Sequence, residues 1–476
     1  MIHLRKFAFR EAENCYFCFE PFFILPMFKI YDFSLTLQSN NSIMYRKLFL
    51  FIFAVLISIF AFAQDTITVM QYNLLEYGNY NSGWASCFET NNNTQQKDED
   101  IRTVLNYVQP DIFTVNEFGA TQALQNDFLR HNLNINGKNY WKSDDIINYA
   151  SSNIINHIFY NSNIFGLKKH IALHTEPRDT DFYELYCKTA SLAAGDTIKL
   201  ICVVAHLKAG MNYESSRRAQ LQTAMDYIYQ HYPEDNVLIM GDFNMYSSNE
   251  TGYKLLTSTY SHPEICFVDP VGSSGVGPWN ENENYAQYHT QATASWIDND
   301  CRSTGGMDDR FDFILMADEI AFGYHNIRYV RNSYKTVGND GRHFNQSINQ
   351  GTNNSAPQAV IDAVFDCSDH LPVTMKLAVT AKLDIDEYAL TPEYNASIAP
   401  NPASDAVNIC FFNRFNGMVD FSIYNIQGQL VERQSAGFSR GNQLHQMDIS
   451  HLAKGFYVMQ ISNESHQTET LKLIVK

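Results

Sequence analysis

After Gln64 the chain alternates two kinds of hydrophobic pattern. "DTITVMQYN" is an apolar-rich run of strand type, Ile101, Val104, Leu105 and Val108 then recur at helical spacing, and "DIFTVNE" is strand-like again. The order repeats downstream. Leu221, Ala224, Met225 and Ile228 mark an amphipathic helix, the strand "NVLIMGD" follows, and "IKLICVVAHL", "RFDFILM" and "LPVTMKL" read as further buried strands. The pattern predicts a mixed α/β body over residues 65–377. Within it, residues 269–309 are rich in Asn, Gly and Ser and predict a long surface loop. Residues 378–396 predict a linker. Residues 397–476 carry short alternating runs, "FSIYNI", "GFYVMQI" and "LKLIV", separated by turn residues, and predict a small β-sandwich.

The N-terminal region carries a different signal. From Met44 the chain reads "MYRKLFLFIFAVLISIFAFAQ", with basic residues at Arg46 and Lys47, an apolar run from Leu48 to Ala63, and small residues at Ala61 and Ala63. This is the pattern of a secretory signal peptide over 44–63, cleaved after Ala63. A membrane anchor would need about 20 apolar residues, so no stable membrane span is expected. Residues 1–43 are expected to be an extension read from an upstream start codon. Export changes how the cysteines read. Seven lie beyond Ala63 (Cys87, Cys187, Cys202, Cys266, Cys301, Cys367 and Cys410), and an oxidising compartment favours disulfides. The odd count leaves at least one unpaired, connectivity is open, and buried thiols are the plain alternative.

Composition narrows the function. The 476 residues are 45% hydrophobic and 18% charged, ordinary for a globular chain. With 34 Lys and Arg against 51 Asp and Glu the net charge is −17, which excludes a broad basic surface for gripping nucleic acid. A divalent cation is a partner that tolerates excess carboxylate.

The chemistry lies in polar residues placed on the predicted strands. Asn73 closes the first strand and Glu117 the second, and His206 follows "CVVA". Asp242 and Asn244 follow "VLIM", Asp312 sits in "RFDFILM", and Asp369 and His370 precede "LPVTM". One such residue is usually a turn or cap. The recurrence across six blocks points to a shared cleft. In an extended chain side chains two apart share a face, so Asp242 and Asn244 are expected to project together, with Gly241 leaving room for a ligand.

In order and type, "QYN", "VNE", "AHL", "GDFN", "RFDFIL" and "SDHLPV" resemble the endonuclease/exonuclease/phosphatase superfamily, to which pancreatic-type deoxyribonucleases, abasic-site endonucleases and neutral sphingomyelinases are similar. The resemblance implies a four-layered α/β sandwich, two packed β-sheets flanked by helices, and Mg²⁺-dependent hydrolysis of a phosphate ester, with Mn²⁺ or Ca²⁺ as alternatives. It makes Glu117 the principal metal ligand with Asn73 beside it, and Asp369 a second metal or water ligand. Asp242 would orient or deprotonate the attacking water and Asn244 would donate to the phosphate. His370, polarised by Asp312, would hydrogen-bond the phosphate, and His206 matches the histidine that protonates the leaving oxygen. Two departures stand out: Asn116 precedes Glu117 where the family has Gln, and "SSNIINHIFYN" offers His206 no carboxylate partner. Arg310 reads as a strand cap.

The tail resembles the C-terminal sorting domain of type IX secretion in Bacteroidetes, through "SIAPNPASDAVNI", "YNIQGQLV", "ISHLAKGFYVMQI" and the closing "LKLIVK". Together these readings describe a phosphoesterase that is secreted or held at the cell surface, engages the secretion machinery through its tail, and acts as a nuclease on extracellular DNA or RNA. A sphingomyelinase-like or other small-molecule phosphodiesterase or phosphatase is the alternative within enzymes. A catalytically dead surface adhesin is the alternative outside them. Oligomeric state is left open.

Overall fold

The computed structural model describes residues 65–80, 87–188, 197–258, 265–272, 277–299, 301–379, 396–413, 416–463 and 468–476. The expected extension, the expected signal peptide and residues 380–395 of the expected linker lie outside the described residues.

In chain order the body opens with β1 (Asp65–Tyr77), α1 (Thr94–Val108), β2 (Ile112–Gly119), α2 (Gln122–Phe128), β3 (Trp141–Lys142), β4 (Ile154–Asn161), β5 (Phe165–Leu173), β6 (Thr180–Cys187) and β7 (Ile198–His206). It continues through α3 (Glu214–His231), β8 (Val237–Asp242), α4 (Thr251–Thr257), β9 (Phe267–Val268), β10 (Asp312–Ala317), α5 (Asp318–Phe322), β11 (Ile327–Tyr329), β12 (Lys335–Thr336), α6 (Gln358–Cys367) and β13 (Val373–Val379). Among the described residues one sheet has the order β11-β13-β1-β2-β4-β3, with β12 also on β13, and the other β5-β6-β7-β8-β10-β9. The β1–β2 and β7–β8 pairs are parallel. Each needs a crossover, which α1 and α3 supply.

Period-two alternation distributes the side chains. Ile67 and Val69 of β1 meet Val204, Met240 and Ile314 of the other sheet. Met70 and Tyr72 point the opposite way, against Val104, Ile361 and Val364 of the helices. In the second sheet Val203, Ile239 and Leu315 face Leu221, Met225 and Ile228 of α3. Strands buried on both faces read as continuous apolar runs, and the layers stack helix, sheet, sheet, helix, as the resemblance implied.

Residues 269–309 are not the solvated loop that their composition suggested. Trp279, His289, Thr290 and Thr293 are fully buried. Trp279 donates through Nε1 to the Met245 carbonyl, and Thr290 Oγ1 accepts from the amides of Phe311 and Asp312 at the start of β10. Internal hydrogen bonding substitutes for water here, and composition is blind to it. Cys301 of this segment pairs with Cys87, while Cys187, Cys202 and Cys367 are buried thiols.

The tail forms a sheet β14 (Ser397–Ala399), β15 (Ala406–Asn413), β18 (Gly441–Asp448), and a second of β17 (Leu430–Phe438), β16 (Gly417–Asn425), β19 (Gly455–Asn463) and β20 (Thr468–Val475). Val407, Ile409, Phe421, Met447 and Ile461 fill the space between them. The tail also rests on the body: Phe412 lies 5.3 Å from Phe322, Arg440 is 2.8 Å from Asp318, and Arg331 is 2.9 Å from Glu469. Beside this contact, burial and the neighbouring Asp318 push the Glu319 carboxyl well above the usual carboxylate range. The folded state therefore keeps a proton that the unfolded chain releases above about pH 4.5, and stability drains away as pH rises from there. Glu319→Gln should raise Tm by a few °C at pH 8 and leave it unchanged at pH 4. Thermal melts at the two pH values check this, and an equal shift at both would refute a protonation effect.

Candidate active site

β8 is buried along its whole length and delivers Asp242 to the edge where several other strands end. Register accounts for the gathering. Asp242 is the cross-strand partner of His206 in the parallel β7–β8 pair and of Asp312 in the antiparallel β10–β8 pair. β1 and β13 run antiparallel, so the end of β1 meets the segment that enters β13, where Ser368 Oγ donates to the Asn73 carbonyl at 2.8 Å.

Gly241 serves this strand pairing, correcting its reading as space for a ligand. Its φ is +143°, and a Cβ built there would sit 1.7 Å from the Ala205 carbonyl oxygen on β7. The shared face expected of Asp242 and Asn244 is corrected too. β8 stops at Asp242 and Asn244 is left-handed at φ 49°, so the chain is turning. The Asn244 amide donates to Asp242 Oδ1 at 3.0 Å, and its Nδ2 lies 3.3 Å from the Leu207 carbonyl.

Glu117 sits at a shift in the β2 register with φ 55°, a conformation that aims its side chain out of the strand into the edge. Its Oε2 accepts from the Glu76 amide and its Oε1 from Asn73 Nδ2, both at 3.0 Å. Asn73 Nδ2 also donates to Asp242 Oδ2 at 3.0 Å, so one amide joins the two carboxylates. His206 Nε2 is 3.3 Å from Asp242 Oδ2 and 3.9 Å from Glu117 Oε1. Burial, with Arg178 and His370 nearby, holds this imidazole well below its ordinary value, so it is neutral, and its buried Nδ1 has no hydrogen-bond partner among the described residues.

On the other side of Asp242 stands His370. Its Nδ1 is 2.7 Å from Asp312 Oδ2 and its Nε2 is 3.6 Å from Asp242 Oδ2. Burial disfavours the cation, but the carboxylates of Asp312 and Asp242 outweigh it and raise the ring well above its ordinary value. Burial also raises the Asp242 carboxyl, with Asp312 and Glu117 adding to the rise and His370 opposing it. Asp369 accepts from the Ser303 amide through Oδ2 at 2.8 Å, while its buried Oδ1 has no hydrogen-bond partner among the described residues. Asn73, Glu117, His206, Asp242, Asp312 and His370 thus form one connected network, Asn244 is bonded to it through its amide, and Asp369 flanks His370 in the chain.

Several neighbours were given no site role by the sequence. Asn116 Oδ1 accepts from the Asp242 amide at 2.7 Å and from Gln71 Nε2 at 2.6 Å, tying the two sheets together beneath the site. Asn116 Nδ2 donates to Asn156 Oδ1, and Asn156 Nδ2 in turn donates to the carbonyls of Asp179 and Val204. Arg178 donates to the carbonyls of His206 and Leu207. Ser368 was visible in the quoted "SDH" block, but an arginine in "EPRDT" carries no spacing signal at all.

Ligand atoms of Glu117, His206 and Asp242 lie within 4.8 Å of one another. Two carboxylates that face each other at a partly buried edge, one raised by that burial, are a donor set whose repulsion a divalent cation would relieve. The residues fit such an ion. A family model described as the endonuclease/exonuclease/phosphatase family matches residues 70–370. The chain belongs to the endonuclease/exonuclease/phosphatase family. As a member it is a hydrolase acting on phosphate esters, in a family whose enzymes depend on divalent metal. A second match, the secretion system C-terminal sorting domain, covers residues 397–476 and directs type IX export to a secreted or surface location. Among the described residues no helix is long and apolar enough to cross a membrane.

No curated protein matches the chain significantly. Solved structures that resemble it include a D. rerio TDP2 humanised by 14 mutations, at 14% identity and TM-score 0.39, covering 66% of this chain and 99% of that one. The human nocturnin catalytic domain with bound sulfate has 15% identity and TM-score 0.37, with 66% and 95% covered. A mannosyl-6-phosphatase of Bacteroides thetaiotaomicron has 15% identity and TM-score 0.38, with 66% and 99% covered.

Proposed function

We propose that this family member is a secreted nuclease that hydrolyses phosphodiester bonds in extracellular DNA or RNA. The carrying observation is the seat of Asp242, which lies in hydrogen-bonding or ion-pair range of Asn73, His206 and His370 at one strand-end edge. Asp242 would take the proton of an attacking water, since a buried, raised carboxyl is a stronger base than a solvated one. Asp312 holds His370 with Nδ1 engaged, and Nε2, which faces the Gln291 carboxamide at 2.6 Å, would turn from it to donate to a phosphate oxygen as charge grows there. Asn244 would donate to the same phosphate once its carboxamide leaves Leu207, and His206 would act on the leaving-oxygen side through Nε2.

Glu117, Asn73 and Asp369 would hold Mg²⁺, with His206 and Asp242 adjacent. The bound ion would neutralise phosphate charge and polarise its oxygens. A nucleic acid is favoured by exposed aromatics on loops of the body. Trp296 is 76% exposed, Tyr149 64% and Phe88 56%, and such faces stack bases at about 1–3 kcal/mol each.

Incubating the full chain with plasmid DNA, RNA and sphingomyelin, with Mg²⁺ and with EDTA, tests the reading. Cleavage of a nucleic acid that EDTA abolishes is expected, and cleavage of sphingomyelin alone would overturn it. Glu117→Gln should raise the Mg²⁺ concentration needed for half activity about tenfold or more, with partial rescue by excess metal. A metal titration of the variant reads this directly, and an unchanged midpoint would remove Glu117 from the metal site.

A further inference from the structure

One side of His370 is bordered by polar groups that the catalytic proposal leaves unused. Gln291 pairs as an antiparallel bridge with both Asp309 and His370. Directly opposed residues in such pairs project to the same face, so the side chains of Asp309, Gln291 and His370 line up. The Gln291 carboxamide lies 2.6 Å from His370 Nε2, the ring nitrogen not engaged by Asp312, and its oxygen is the end that accepts where Nε2 carries a proton. The other end of that carboxamide has no partner among the described residues. Asp309 accepts through Oδ1 from Asn280 Nδ2 at 2.7 Å, and no described residue donates to its Oδ2. Tyr246, whose carbonyl accepts from the Asn280 amide, has a hydroxyl with no hydrogen-bond partner among the described residues, raised by burial and further by Asp309 and Asp242. All three side chains are half-buried, open enough to meet a ligand and sheltered enough to discriminate.

Each candidate occupant faces the same test. Burial raises the Asp309 carboxyl to about 7, and in its ionised form it would repel a second phosphate. An acyl chain or the face of an aromatic base would cover polar atoms without satisfying them, at a cost that disfavours it. A neutral group bearing hydroxyls satisfies all of them, donating to Asp309 and exchanging hydrogen bonds with Gln291 and Tyr246. We infer that Gln291 and Asp309 form a subsite for the hydroxyls of a sugar attached to the scissile phosphate, so that the enzyme selects hydroxyl-rich sugar phosphates over deoxy ones. The inference rests on the phosphoesterase reading of the neighbouring site. The sugar could be a ribose of RNA or a free sugar phosphate, since both present the same chemistry.

Rates on an RNA oligonucleotide, the DNA of the same sequence, glucose 6-phosphate, p-nitrophenyl phosphate and bis(p-nitrophenyl) phosphate, measured on the full chain with Mg²⁺, separate the cases. For a ribose, kcat/KM for RNA should exceed that for DNA roughly 10- to 100-fold, the worth of a hydrogen bond to a charged group. For a free sugar phosphate, glucose 6-phosphate should be preferred to p-nitrophenyl phosphate while both polymers stay intact. In either case Asp309→Asn and Gln291→Leu should each pull the preference toward one. Equal rates on RNA and DNA, or a preference that neither variant moves, would overturn the subsite and leave the nuclease standing. Hydrolysis of bis(p-nitrophenyl) phosphate alone would overturn the subsite and the nucleic-acid reading but not phosphoesterase activity. No hydrolysis at all would overturn every one of these readings.

Discussion

Asp242→Asn should lower kcat about 10²- to 10⁴-fold, the range expected when a general base is lost. The substitution keeps the volume and removes the proton acceptor. It also disturbs the network locally. Asp242 accepts through Oδ1 from the Asn244 amide and through Oδ2 from Asn73 Nδ2, so whichever way an amide is placed, its nitrogen meets one of these donors. A melting curve on the same variant separates this strain from the chemical loss. His370→Ala should cost a similar factor by removing the donor that meets growing phosphate charge, and it strands Asp312 without its imidazole partner. Because Asp242 and His370 lie 3.6 Å apart and are proposed to act on one phosphate, their losses should not multiply. Groups that act as a unit are non-additive, and the double variant should be about as slow as the slower single. A double-variant rate equal to the product of the two single losses would mean that the residues act independently.

How much of this was legible from the chain follows from what kind of information each feature needs. Strands buried on both faces leave apolar runs, and the helices leave Ile101, Val104 and Leu105 or Leu221, Met225 and Ile228 at helical spacing, so the layers could be read. The polar residues that interrupt the strand ends were visible for the same reason: water-seeking groups at the end of an apolar run are conspicuous. What the chain concealed was geometry that depends on turns and on register. Asn244 was expected to share a strand face with Asp242, but the left-handed turn at φ 49° reorients it. Gly241 was taken for room near a ligand, whereas only its alignment with Ala205 across the parallel pair shows why no side chain fits. Gln291 looked like one polar residue in a polar loop, and its meeting with His370 depends on bridges between segments far apart in sequence. The Cys87–Cys301 pairing likewise could not be chosen from spacing.

Arg310 was read as a strand cap, and its actual setting predicts the largest loss of stability. Its guanidinium is fully buried and pairs with Asp269 through two hydrogen bonds, at 2.8 and 2.9 Å. The Phe313 and Trp279 rings lie 4.4 and 5.6 Å from it, and Tyr253 adds a hydroxyl donor to the same carboxylate at 2.8 Å. Removing one partner of a buried ion pair leaves an uncompensated charge and costs about 3–5 kcal/mol. Asp269→Ala should therefore lower Tm by about 5 °C. Replacing both partners with apolar residues of similar volume, Asp269→Leu with Arg310→Met, should recover much of that loss, because the charge needing compensation is gone. The consequence reaches the site. Arg310 stands two residues before Asp312, which orients His370, so Asp269→Ala should also slow turnover at temperatures well below its melting point. Melting curves of the single and double variants decide the matter: a shift under about 2 °C in Asp269→Ala would mean that the pair contributes little, and a double variant no more stable than the single would mean that the loss comes from packing and not from the stranded charge.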